Sequence, residues 1–197
     1  MKHSLKRLAI DTATPYLYVA LYEGDHKLYS VYEKGNNDHS VTLMQTVETL
    51  FKKARWSVSN LDQIIIGVGP GSYTGVRIGV VVAKMLAFSH DIELFQISSL
   101  ALLASASKKQ KVLTYIDARR NHAFAGVFKN NDFLEAYIPE RYISLNEALQ
   151  NWAYDEAIDA LEPDLTVVLN SPLLKRVENK HALSPHYLRK TEAERNL

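Results

Sequence analysis

Ile64-Ile65-Ile66-Gly67-Val68-Gly69-Pro70-Gly71-Ser72-Tyr73-Thr74-Gly75-Val76-Arg77-Ile78-Gly79 is the stretch from which the rest of the chain can be read. Three isoleucines in a row leave no polar face, so this strand must be covered on both sides. The glycine-dense turn at 67–71 permits backbone shapes that other residues resist. Apolar residues then resume at helical spacing from Thr74 to Phe88. Strand, tight turn and helix make one α/β unit. Amides left open at such a helix start attract anions, which makes Ser72 to Gly75 a candidate contact. The turn is not a P-loop, because no Gly-Lys-Ser/Thr ending follows. Nor is its strand the first of the chain, as a dinucleotide fingerprint requires. Ser72 lies outside any Gly-x-Ser-x-Gly elbow and has no assignable base.

Working outward, Leu8-Ala9-Ile10 reads as a buried strand ending at Asp11. Tyr16 to Tyr22 and Lys27 to Tyr32 flank Glu23-Gly24-Asp25, the pattern of a hairpin. A loop is expected at Gly35-Asn36-Asn37-Asp38, and a helix from Ser40 to Lys53 with Leu43, Val47, Leu50 and Phe51 on one stripe extended by Met44. Ile92 to Phe95 is a further strand, and Ser99 to Ser107 a helix. Lys108-Lys109-Gln110 then marks a boundary. Beyond it the pattern recurs: a strand Val112 to Ile116 ending at Asp117, strands Ala123 to Phe128 and Phe133 to Ile138, and a helix through Trp152 opened by Ser144 and Glu147 as a capping box. A strand at Leu165 to Leu169 and a short helical piece from Ser171-Pro172 complete the expectation. The chain therefore reads as a duplicated α/β unit with mixed sheets flanked by helices, one copy at 1–107 and an abbreviated copy at 108–197.

Composition narrows the chemistry. The 197 residues hold 23 Lys plus Arg against 22 Asp plus Glu, a formal charge of +1, so no global field draws the chain to nucleic acid or membrane. No cysteine is present, which removes disulfides, thiolate zinc sites and cysteine nucleophiles and fits a reducing cytoplasm. Met1 to Arg7 carries three basic residues and a histidine before a short apolar run. No signal peptide and no membrane span, which needs about 20 apolar residues, are expected. None of the seven histidines forms His-x-x-x-His or His-Glu-x-x-His, so no metal ligands are assigned. The acids Asp155, Glu156, Asp159, Glu162 and Asp164 read as a solvated face.

Asp11 and Asp117 end equivalent strands, where a ligand cleft opens in folds of this kind. Paired carboxylates there can hold magnesium or act as a base. The loops that follow, Thr12-Ala13-Thr14 and Ala118-Arg119-Arg120, lack the glycine that would let backbone wrap a phosphate. No catalytic residue is therefore assigned. Asp11, Ser72, Thr74, Arg77 and Asp117 stand as a candidate anion or ligand cleft. Gly75, Gly79 and Ala83 form a small-residue ridge four apart, suited to close packing within the chain or against a partner.

Leu8-Ala9-Ile10-Asp11-Thr12-Ala13-Thr14, His39-Ser40, the run Gly69 to Gly79, Asp117-Ala118-Arg119 and Pro185-His186-Tyr187-Leu188-Arg189 together resemble the bacterial TsaB family over essentially the whole length. That resemblance implies the two-lobed actin/hexokinase/Hsp70 (ribonuclease H-like) fold. It implies a non-catalytic partner of TsaD, joined by the ATPase TsaE, in N6-threonylcarbamoylation of adenosine 37 of tRNAs reading A-starting codons. It implies no cofactor of the chain's own, with ATP and metal on the partner subunits. It further implies pairing with TsaD, or with a second copy in its absence, through the first two helices, and tRNA contact mainly through the complex. Leu43, Met44, Val47, Gly75, Val76, Gly79, Val80 and Ala83 are the expected interface, so that Gly79→Leu should weaken pairing without abolishing folding. The chain looks shorter than the commoner family length, at the expense of the second lobe. The competing reading is an independent nucleotide-dependent phosphotransferase or metallopeptidase.

Overall fold

The computed structural model describes residues 4–35 and 39–189. The start at Met1–His3 and most of the loop expected at 35–38 lie outside them. Strands β1 (Lys6–Asp11), β2 (Tyr16–Glu23) and β3 (His26–Lys34) form an antiparallel meander. Helix α1 (His39–Ala54) leads to β4 (Gln63–Gly67), which pairs parallel to β1, and α2 (Tyr73–Ser89) leads to β5 (Glu93–Ile97), parallel to β4. Helix α3 (Ser99–Ala104) follows.

The isoleucine run behaves as its composition demands. Ile64 and Ile66 face the core under α1 and α2 with Leu8, Ile10, Leu43, Val47, Val76, Val80 and Ala83. Ile65 and Ala9 point to the opposite face, onto α3. Burying each large side chain on this two-faced strand contributes about 1.5–3 kcal/mol, and alternation of period two sends neighbours to opposite cores.

Beyond α3, strands β6 (Lys111–Asp117), β7 (His122–Asn130) and β8 (Leu134–Ser144) form a second meander, followed by α4 (Leu145–Asn151) and β9 (Glu156–Ile158), parallel to β6. The second sheet runs β8-β7-β6-β9 and the first contains β3-β2-β1-β4. The same order with the same connections makes the second sheet a repeat of the first, as the sequence pattern implies. Helix α3 lies between the copies: its Leu100 to Ala104 share one core with Ala9 and Ile65 of the first sheet and Val112, Ile116 and Phe128 of the second. This is the two-lobed, actin-like arrangement.

Local expectations in the second half need correction. Leu165–Leu169 is not a strand: Leu165–Val167 is a 3-10 turn, opened by the Asp164 carboxylate accepting from the Thr166 amide at 3.0 Å. Leu165 and Val168 are both fully buried, a spacing of three that a strand cannot give. The strand of that copy is β9, locked in register where the Lys111 amide donates to the Asp155 carboxylate at 2.8 Å and the Asp155 amide returns to the Lys111 carbonyl. Ser171-Pro172 opens a turn rather than a helix. The capping box at Ser144 does not form; Ser144 is the N-cap of α4 but makes no side-chain cap, and the Leu145 amide bonds the Asn121 carbonyl instead.

The C-terminal segment returns to the first lobe. Strand β10 (Lys175–Arg176) pairs antiparallel to β5, completing the order β10-β5-β4-β1-β2-β3. The His186 amide bonds the Val68 carbonyl at 2.7 Å, and Val177 and Leu183 enter the first core. A division at 107/108 assigns these residues to the second unit; their hydrogen bonds are to the first sheet. No helix among the described residues is long and apolar enough to cross a membrane.

Candidate functional site

The Gly-rich turn is built against the end of β1. The Asp11 carboxylate is buried and accepts the Ala13 amide at 2.7 Å. A Cβ on Gly67 would stand 1.8 Å from Asp11 Oδ2, so only glycine lets β4 end here. The Ser72 amide bonds the Ala13 carbonyl at 2.7 Å, and the Ser72 hydroxyl caps α2 by accepting from the Gly75 amide at 3.1 Å. The Thr12 hydroxyl donates to the Gly75 carbonyl at 2.7 Å. A Cβ on Gly75 would meet the Thr12 carbonyl at 2.1 Å, and one on Gly79 the Thr12 hydroxyl at 2.4 Å. The small-residue ridge is thus spent inside the chain, seating α2 on β1.

Between the sheets opens a cleft of about 640 Å³, walled by Ala13–Pro15 and Gly71–Gly75 on one side and Ile116–Arg119, Phe124 and Arg189 on the other. Of the five cleft candidates, Ser72, Thr74 and Asp117 line it. Asp11 does not; its carboxylate lies behind, under Gly67. Arg77 does not either. Its guanidinium lies 3.8 Å over the Tyr73 ring and donates through Nε to the Tyr187 hydroxyl at 2.8 Å, and the two rings stack at 5.1 Å. Arg77 therefore fastens the C-terminal segment to α2 through stacking and a hydrogen bond. The two carboxylates do not form a pair: Asp117 is exposed and accepts the Arg119 amide at 2.8 Å. No three His, Asp or Glu side chains converge among the described residues.

The expected interface also divides differently. Leu43, Val47, Val76, Val80 and Ala83 belong to the chain's own core, and Gly75 and Gly79 are buried against Thr12. They cannot reach a partner, and Gly79→Leu would disrupt folding rather than pairing. Met44 alone of the eight is exposed. The outward faces instead carry Val41 beside Met44 on α1, and Val81 (62% exposed), Met85 (50%) and Phe88 on α2. The sequence alone singles out none of Val41, Val81, Met85 and Phe88 as an interface residue; α2 is apolar nearly all round, so spacing could not say which side faced inward.

The acidic segment is tied down by two ion pairs, the first of which links the copies. Glu162 pairs with Lys27 of β3 at 2.8 Å, and Asp164 with Lys108 at 3.0 Å. Burial pushes the Glu162 carboxyl upward, but the Lys27 and Ser30 hydrogen bonds outweigh it and hold the group below its ordinary value. Nearby, the Tyr18 and Tyr22 hydroxyls lie 3.2 Å apart, and Tyr22 accepts the Leu165 amide at 3.3 Å. Burial raises both phenols, so they stay neutral and serve as hydrogen-bonding pins.

An α3-centred pair of β3-β2-β1-β4 sheets, with a cleft between them, defines a chain of the actin/hexokinase/Hsp70-like class. Residues 31–180 match the family model described as "TsaD: tRNA N6-adenosine threonylcarbamoyltransferase". The "tRNA threonylcarbamoyladenosine biosynthesis protein TsaB" of Bacillus subtilis is 38% identical over 148 residues, covering 73% of this chain and 64% of that protein. The protein of the same name from Haemophilus influenzae is 30% identical over 167 residues, 78% of this chain and 70% of its own length. The solved "YeaZ from Pseudomonas aeruginosa" superposes with a TM-score of 0.80 at 24% identity, covering 93% of this chain and 100% of that one. The chain belongs to the TsaB family. Its match spans less than two thirds of the Bacillus subtilis relative.

Proposed function

We propose that this chain serves N6-threonylcarbamoylation of tRNA adenosine 37 as a non-catalytic cytoplasmic partner subunit, docking on TsaD through the outward faces of α1 and α2. The observation that carries this reading is the row of exposed apolar side chains Val41, Met44, Val81 and Met85 on adjacent helices of a chain with balanced charge. Val41 and Met44 lie one turn apart on α1 and Val81 and Met85 one turn apart on α2, and apolar side chains exposed in such pairs on adjacent helices favour an interface. The names of the relatives, which place them in threonylcarbamoyladenosine biosynthesis, supply the reaction. A chain of TsaD-like fold whose two strand-end carboxylates do not converge supports a partner role over a catalytic one. TsaE joins through the complex, ATP and metal belong to the partners, and without TsaD two copies pair through the same helices.

Light scattering of the chain alone and mixed with TsaD tests this. A mixed complex that forms with the wild type and fails to form with Val81→Glu/Met85→Glu supports the docking face. Equal complex formation by both proteins would overturn it.

A further inference from the structure

A second cavity of about 490 Å³ adjoins the interlobe cleft and is lined by Ala118, Arg119, Arg120, His122, Tyr142 and Arg189. Three arginines, Arg119, Arg120 and Arg189, line it, and none of them pairs with a carboxylate among the described residues. The nearest acid in chain order, Asp117, is engaged by the Arg119 amide. Like charges gathered without counter-ions destabilise a surface unless an anion completes it. The hairpin that presents them is itself unusual: Arg119, Arg120 and Asn121 all have positive φ, at 69°, 52° and 58°. Left-handed backbone in three consecutive non-glycine residues is strained and concentrates at ligand sites.

Beside the arginines stands a planar stack. His122 lies on Tyr142 at 4.9 Å with the rings 10° apart, and its Nδ1 is within 2.9 Å of the Arg120 carbonyl. Arg189 covers Tyr142 at 4.5 Å and donates to its hydroxyl at 2.7 Å. Guanidiniums that can fork onto phosphate oxygens, next to a stack of flat rings, are the chemistry of RNA recognition. The exposed hairpin suits a strand running past it better than an enclosed small molecule. We propose that this cavity binds the phosphodiester backbone of RNA, with Arg119, Arg120 and Arg189 on phosphates and the His122–Tyr142 stack beside a base. The site extends the tRNA reading above and rests on it for the RNA. It uses a different surface from the partner-docking helices, so substitutions abolish the two separately.

The test is fluorescence anisotropy of the full chain with an unmodified tRNA transcript, titrated at several salt concentrations. Arg119→Gln/Arg120→Gln/Arg189→Gln is compared with Lys52→Gln/Lys109→Gln/Arg176→Gln, which removes the same charge elsewhere. Relative to that control, affinity should fall about tenfold at low salt, and the salt slope should fall by about one for each phosphate no longer engaged. Arg120→Gln alone, at an exposed side chain, should reduce the slope by about one unit while melting as the wild type does. Equal losses in both triple variants would overturn the proposal. So would saturable binding of AMP or inorganic phosphate, abolished by the arginine substitutions, in a chain that does not bind tRNA.

Discussion

Gly79→Ala measures how tightly α2 is seated on β1. In an ordinary helix interior, alanine is favoured over glycine by about 1 kcal/mol. Here the new methyl would stand 2.4 Å from the Thr12 hydroxyl, which is held by its 2.7 Å bond to the Gly75 carbonyl. Relieving the clash costs about 1–3 kcal/mol in strain, and displacing the hydroxyl forfeits a hydrogen bond of about 1 kcal/mol. The net is a loss of about 2 kcal/mol despite the better helix former, or roughly 4–8 °C in melting temperature for a domain of this size. In a Thr12→Ala background the hydroxyl is gone. The remaining neighbours are the Thr12 Cβ position at 3.6 Å and the tip of Ile66 at 3.3 Å. There the penalty should fall to near zero, giving a coupling of about 2 kcal/mol. Urea unfolding of the four proteins of this cycle reads it directly. A stabilising Gly79→Ala, or the same penalty in both backgrounds, would refute the packing account.

Val81→Glu/Met85→Glu alters side chains that the fold leaves outside, so unfolding should change by no more than about 0.5 kcal/mol while TsaD binding disappears; calorimetric titration separates the two. Tyr22→Phe removes the acceptor of the buried Leu165 amide and should cost about 1–3 kcal/mol, seen as an earlier urea midpoint. Glu162→Gln removes a partly exposed pair and should cost less than about 1 kcal/mol at neutral pH. Because the folded-state pKa of Glu162 is depressed, that contribution is complete above the ordinary glutamate value and disappears as pH falls through the folded value. Wild type and Glu162→Gln should therefore differ in urea stability at pH 7 and converge in acid; a gap that widened on acidification would contradict the assignment.

Elements whose burial is local were legible in the sequence. The Ile64 to Ile66 run, the Gly24 hairpin and the presence of a helix at α2, though not which of its sides is buried, need no distant information. What escaped was set by distant partners. Lys175–Arg176 has no apolar signature and becomes a strand only because β5 offers an edge. Leu165 to Leu169 has the composition of a strand, but the Asp164 cap and the spacing of Leu165 and Val168 against a shared core wind it into a turn. Asp11 does end a strand, as its position after Leu8-Ala9-Ile10 implies, yet its carboxylate lies away from the opening, in space that the missing Cβ of Gly67 leaves free. Arg119, Arg120 and Arg189 were visible as residues, but their convergence depends on a hairpin and a C-terminal segment about 70 positions apart.

The return of the C-terminal segment to the first sheet has a consequence for biosynthesis. About 80 residues separate Gln96 from its partner Lys175, roughly 4–16 s of elongation on a ribosome. Through that interval the first lobe can assemble four adjacent pairings, but the outer edge of β5 waits without its neighbour. An open edge is a template for the wrong strand. Nascent chains stalled before Lys175 should therefore be the aggregation-prone and protease-sensitive species. Release of the last segment would close the sheet.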